Sequence, residues 1–202
     1  TSVPIKMKVL HEIIEFTKNS TSKDDLKPSL QGVLIKVDKE RILGVSTDGH
    51  RLSRIQIKHK SNIEKEFELI IPTKFLSITT NLIKDEGKIE LEVSNSFISL
   101  CYKNTTLFSK IIKDTYPDYE KVIPLDNNKT LTVNRKEILE SIKRVSIFSN
   151  RSTRQVTLSI QPNNITISTE DAENAAKGKE ELNCNFSGKE DLRIGFNSNF
   201  LI

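Results

Sequence analysis

Four places along the chain switch from strand-like alternation to helical spacing of apolar residues. They are Val3-Pro4-Ile5-Lys6 leading to Val9-Leu10, Ile71-Pro72-Thr73-Lys74 leading to Leu76, Val133-Asn134-Arg135-Lys136 leading to Ile138-Leu139, and Phe196-Asn197-Ser198-Asn199 leading to Phe200-Leu201. Anchored on Pro4, Pro72, Asn134 and Asn197, they recur at spacings of 68, 62 and 63 residues. Proline suits the first turn of a helix and asparagine caps one, so each anchor predicts a strand handing over to a helix. A period this long means repeated supersecondary units, outside the solenoid periods. The first helix is predicted over 4–19, with Val9, Leu10, Ile13, Ile14 and Thr17 inward and Lys6, Lys8, Glu12, Glu15 and Lys18 opposite. The second is predicted over 72–84 with Phe75, Ile78 and Leu82 inward, and the third over 134–148 with Ile138, Ile142 and Val145 inward.

Strand-like runs fill the gaps, at 32–37, 41–47, 50–58 and 66–71, then 89–93, 97–102 and 105–112. A last set covers 156–160, 165–168, 180–186 and 192–196. One helix with three or four antiparallel strands per unit predicts an α+β fold, with two units closing into each domain. The first domain is expected over 1–124; residues 125–202 hold one further unit and the opening of another. The chain starts at Thr1 without methionine and stops at Ile202 as a helical pattern begins, which reads as part of something longer.

Asp48-Gly49, between apolar runs, is a two-residue hairpin signal, because both central residues of a type I′ turn need positive φ. Thr47, His50 and Arg51 then either flank a good turn or form a binding surface on the hairpin end. Catalysis by Asp48 and His50 lacks a nucleophile, a third orienting group and a phosphate loop. His11 and His59 fall in unrelated segments, so neither a metal nor a cofactor is expected. Tyr116-Pro117-Asp118-Tyr119, running to Val122-Ile123-Pro124, has neither period; it reads either as a semi-rigid interdomain linker whose two tyrosines tack onto neighbouring domains, or as a linker that also lines a groove with Pro117 and Val122 as apolar walls.

Charge changes the picture modestly: 31 Lys plus Arg against 27 Asp plus Glu gives a net +4, so a patch matters more than the total. Lys6, Lys74 and Lys136 occupy equivalent anchor positions, and helices laid side by side would align them as a phosphate-holding face. Aromatic residues are only 6%, which leaves no strand platform for stacking bases. Cys101 and Cys184 read as small buried hydrophobes in a reducing compartment. No membrane-spanning run or signal peptide is visible, so a cytoplasmic protein with no membrane partner is expected.

Several stretches in fixed order resemble the bacterial sliding clamp, the beta subunit of DNA polymerase III. They are Leu30-Gln31-Gly32-Val33-Leu34, Thr47 to Leu52, Pro117-Asp118-Tyr119 with Val122 and Pro124, Arg144-Val145 with Ser149-Asn150, Arg154 to Leu158, and Gly195-Phe196-Asn197. The resemblance implies a non-enzymatic processivity factor, residues 1–124 being its middle domain and 125–202 part of its last domain. The family's subunits close head-to-tail into a homodimeric ring around duplex DNA, which they contact without sequence preference. A groove between those two domains takes a short apolar-aromatic peptide from the polymerase III alpha subunit, the clamp loader and repair proteins. By resemblance its residues here are Leu30, Thr47, Gly49, His50, Arg51, Leu52, Pro117, Lys121, Val122, Asn197 and Phe200, and the DNA-facing residues are Lys27, Lys74, Arg135 and Lys136. The sequence departs from the family at Lys121, often arginine, and at Thr153, often larger. The family's groove also uses residues past the position of Ile202, so a chain ending there is expected to bind the peptide weakly and not to close the ring. The competing readings are a general interaction module without a DNA role and a nucleic-acid enzyme using Asp48 and His50.

Overall fold

The computed structural model describes residues 2–60, 63, 66–82 and 88–202, and the chain divides into two compact units, Thr1–Val122 and Ile123–Ile202. Both are built from helices and antiparallel sheets, so the fold class is α+β.

In the first unit β1 (Ser2–Lys6) leads into α1 (Met7–Thr17), and β2 (Gly32–Val37), β3 (Arg41–Thr47), β4 (Leu52–Lys58) and β5 (Phe67–Pro72) follow. Then come α2 (Thr73–Leu82), β6 (Lys88–Val93), β7 (Phe97–Tyr102) and β8 (Thr105–Lys110). The strands form two four-stranded sheets, ordered β4-β3-β2-β5 and β1-β6-β7-β8. One core fills the space between them. Ile13 and Ile14 of α1, Leu76 of α2, Val33 and Ile71 of the first sheet, and Ile98 and Leu100 of the second belong to the same buried cluster. Gly44 permits α1 to lie close on β3: a Cβ there would stand 2.7 Å from Ile13 Cγ2.

The expected helix at Pro4 is corrected. Residues 2–6 pair with β6 as an edge strand, where proline's missing N–H leaves no ladder bond unmade, and the helix starts at Met7. The face of α2 is corrected too. Phe75, Leu76 and Thr79 are buried, whereas Ile78 and Leu82 are 41% and 58% exposed. Thr79 tolerates burial because its hydroxyl donates to the Phe75 carbonyl at 2.9 Å. The predicted end of this helix, Lys84, lies outside the described residues.

In the second unit β9 (Leu131–Thr132) precedes α3 (Arg135–Ser146), β10 (Gln155–Ile160), β11 (Asn164–Asp171), β12 (Ala176–Asn183), β13 (Asn185–Phe186) and β14 (Leu192–Asn197). A β12-β11-β10-β14 sheet packs on α3 through Ile142, Val145, Val156, Ile165 and Ile167, and β13 pairs with β9. Asn134 caps α3 as expected, accepting from the amides of Lys136 and Glu137. β12 begins four residues before the predicted strand at 180, because its exposed charges Lys177, Lys179 and Glu181, alternating with half-buried positions, suit an edge that pairs only with β11. The helical turns after each junction start at Met7, Thr73, Arg135 and Ser198, so they lie 66, 62 and 63 residues apart. Cys101 and Cys184 are partly exposed rather than buried.

Candidate docking site

β3 and β4 join through four residues, Asp48 to Arg51, with Thr47 paired to Leu52. This corrects the expected two-residue turn. Only Gly49 takes positive φ (91°), and space around its Cα is open. The Asp48 side chain displaces the tighter turn by accepting from the His50 amide at 2.9 Å, the Arg51 amide at 3.0 Å and Arg51 Nε at 3.2 Å. Thr47 closes the loop from the other side: its Oγ1 accepts from the Gly49 amide (3.1 Å) and donates to the Arg51 carbonyl (2.7 Å). His50 is exposed and Arg51 half-buried. Asp48 thus shapes the loop.

Burial pushes the Asp48 carboxyl up, but the His50 and Arg51 donors outweigh it and hold the group below its ordinary 3.8. A depressed carboxylate adds stability that is present above the ordinary value and lost as pH falls through the folded one. Acid is therefore expected to free the His50 and Arg51 amides before the core opens, read as faster hydrogen exchange there while the amides of Ile13 and Ile14 hold.

Residues 112–122 run over the face of the first sheet turned away from the helices. Leu34, Val45 and Ile70, cross-strand neighbours on that face, are buried outside the main core. The Ile112 amide donates to the Ile70 carbonyl at 2.9 Å, and the Thr47 amide donates to Tyr116 Oη at 3.1 Å. Tyr119 is 5% exposed, with Lys36 Nζ 5.9 Å from its ring centroid. Both tyrosines of the expected linker are tied to the first sheet, and Tyr119–Val122 forms a 3-10 turn. Pro117 and Lys121 are exposed, as is Val122 at 68%. Lys121 pairs with Asp118 at 2.8 Å, which raises the lysine and lowers the aspartate; the pair is solvated and adds little stability.

Leu30 is only 7% exposed, in a 3-10 turn at Pro28–Gln31. Its carbonyl accepts from the Ser22 amide at 2.8 Å, and the Ser20 and Ser53 hydroxyls meet at 2.7 Å, so this turn is fixed to the start of β4 beside Leu52. The first unit therefore gathers Thr47, Gly49, His50, Arg51, Leu52 and Pro117 at one hairpin end, with Leu30 tethered to its base.

Asn197 and Phe200 belong to the second unit. The Asn197 side chain accepts from the Asn199 amide at 3.0 Å and caps the 3-10 turn Ser198–Phe200, where Phe200 is 36% exposed. The Ser198 amide donates to the Arg154 carbonyl at 2.8 Å, which joins this turn to the loop holding Thr153. Asn150 Oδ1 organises that loop by accepting from the Ser152 and Thr153 amides at 3.0 and 3.3 Å. Arg154 adopts left-handed φ (50°), a strained conformation for a residue with a side chain.

Lys27, Lys74, Arg135 and Lys136 are all exposed, Lys27 standing 4.0 Å from Asp24. Lys74 and Lys136 are the second residues of α2 and α3, and the same place in α1 is Lys8 rather than Lys6. The proline anchor hid this by setting the first repeat two residues early. A cation in the first turn opposes the helix dipole, so three such lysines are a local cost that helix stability does not explain.

Among the described residues no group of three or more His, Cys, Asp or Glu is arranged to hold a metal ion, and no helix is long and apolar enough to cross a membrane.

The family model for the DNA polymerase III beta subunit central domain matches residues 4–118, and that for its C-terminal domain matches residues 120–202. The beta sliding clamp of Rickettsia felis is 33% identical over 203 residues, covering 94% of this chain and 53% of that protein. That of Pseudomonas putida is 28% identical, covering 96% and 52%. The crystal structure of the DNA polymerase III subunit beta from Pseudomonas aeruginosa superimposes with a TM-score of 0.94 at 25% identity, covering 100% of this chain and 55% of that one. A sliding clamp from Bartonella birtlesii bound to griselimycin gives 0.93 at 28% identity, covering 99% and 55%. The chain thus spans about half the length of the curated relatives it matches. With two consecutive domain models matched in order and the same fold throughout, the chain belongs to the DNA polymerase III beta subunit family.

Proposed function

We propose that this chain is the clamp portion of a processivity factor: residues 1–124 the middle domain and 125–202 part of the last domain of a ring subunit that encircles duplex DNA. The observation that carries this reading is the ordered match of two clamp domains on a chain built from repeated helix-and-sheet units. The subunit closes head-to-tail with a second copy and works in the cytoplasm. Its role is topological and non-catalytic. A closed ring cannot leave sideways, so weak contacts suffice where tight ones would stall sliding. Lys27, Lys74, Arg135 and Lys136, with Lys8 added by the helix register, face the phosphates; such contacts are sequence-independent and fall off with salt. Replacing Lys8, Lys74 and Lys136 by alanine is expected to flatten the log–log salt slope of duplex binding by up to about 3, since each phosphate contact contributes about 0.9.

The hairpin end and the 117–122 segment of the first unit take a short apolar-aromatic peptide from the polymerase III alpha subunit, the clamp loader and repair proteins, and Asn197 and Phe200 of the second unit are assigned the same docking role. Their apolar side chains supply contact area, while His50, Arg51 and Lys121 supply donors at the rim. Lysine at 121 offers a point charge where arginine would offer a planar fork, so recognition of the peptide backbone there is looser. The reading is tested by extending a singly primed circular template with the replicative polymerase, loader and nucleotide, with and without the subunit. Long products are expected only when it is present. Short products in both reactions would refute it.

A further inference from the structure

We infer that Tyr116 is a positioning residue of the docking surface, its hydroxyl coupling the segment that carries Pro117 and Val122 to the hairpin end that carries Gly49, His50 and Arg51. The inference rests on the docking reading above and adds a residue that does not itself touch the peptide. β2 pairs with β3 only as far as Val45, so the Thr47 amide lies past the end of that ladder. An unpaired backbone donor in a half-buried place is costly. Tyr116, 69 residues away in sequence, supplies the acceptor at 3.1 Å.

Thr47 is the hub through which this bond acts. Its backbone is held by Tyr116, and its hydroxyl holds both the Gly49 amide and the Arg51 carbonyl. A shift of the phenol therefore passes through one residue into the loop. On its own side Tyr116 directly precedes Pro117, whose ring restricts it to extended geometry, so anchoring the phenol also sets the chain direction at Pro117. Burial pushes the phenol up to about 12, against the pull of the Thr47 amide toward ionisation, so the hydroxyl stays neutral at physiological pH. A phenylalanine would fill the same space and lose only the bond.

The experiment uses the intact subunit and a fluorescein-labelled peptide ending in Leu-Phe, with affinity read by anisotropy and backbone order by hydrogen exchange. Tyr116→Phe is expected to weaken binding about threefold to tenfold through faster dissociation. The Thr47 and Gly49 amides should exchange faster while those of Ile13 and Ile14 hold. Tyr102→Phe on β7 serves as a control and is expected to change neither reading. Faster Thr47 exchange with unchanged peptide affinity would overturn the inference, because the bond would then be structural only. Absence of peptide binding by the wild-type subunit would instead refute the docking reading on which the inference stands.

Discussion

Asp48→Ala is expected to weaken docking of the apolar-aromatic peptide by at least about tenfold while lowering thermal stability less than a truncation in the core does. The carboxylate receives two backbone amides and one guanidinium N–H, all from the loop that presents His50 and Arg51. Hydrogen bonds to a charged group contribute about 1.5–3 kcal/mol, and losing this set releases the loop rather than the sheet beneath it. The change is local because Asp48 stands outside the buried cluster that joins the helices to the sheets. Asp48→Asn keeps one acceptor and should recover part of the affinity. Anisotropy titrations of the three proteins, paired with thermal melts, check this. Equal affinities would mean that the loop does not contact the peptide.

Ile13→Ala is expected to destabilise the first unit by about 2–5 kcal/mol and to leave the second unit's unfolding unmoved. Ile13 is fully buried in α1, close enough to β3 that Gly44 must lack a side chain. It also lines an apolar cavity of about 20 Å³, so the shortened residue would enlarge an existing void that has no polar group to hold water. The second unit has a separate core around Ile142, Val145 and Val156, which makes independent transitions the natural expectation. Urea titration followed by hydrogen exchange in each unit distinguishes a local loss from a shared one.

The stripes of α1 and α3 were legible because their apolar spacing agrees with the packing they make, and in α3 the Asn134 cap agrees as well. Pro4 misled, since proline serves an edge strand as well as a helix start and nothing local separates the two. The face of α2 was equally hidden. Thr79 is buried through a bond to its own helix, and Ile78 and Leu82 stay exposed, so hydrophobic spacing alone rotated the helix. At the docking site, residues adjacent in sequence were found together, and the resemblance supplied Pro117 and Lys121. The Asp48-Gly49 pair marked a turn correctly but not its length, because the Asp48 side chain competes with the backbone for the amides of His50 and Arg51. The bond from Thr47 to Tyr116 spans 69 residues and leaves no periodic trace, so only the folded chain reveals it. Lys8 was overlooked for the same reason that β1 was.

The clamp role itself rests on a subunit that holds DNA by enclosure. The decisive measurement loads the intact protein onto closed circular duplex and follows its release before and after a single double-strand cut. Enclosure predicts persistence on the circle at salt concentrations that abolish direct binding, then rapid loss from the new ends. Equal release from circle and linear duplex would contradict it.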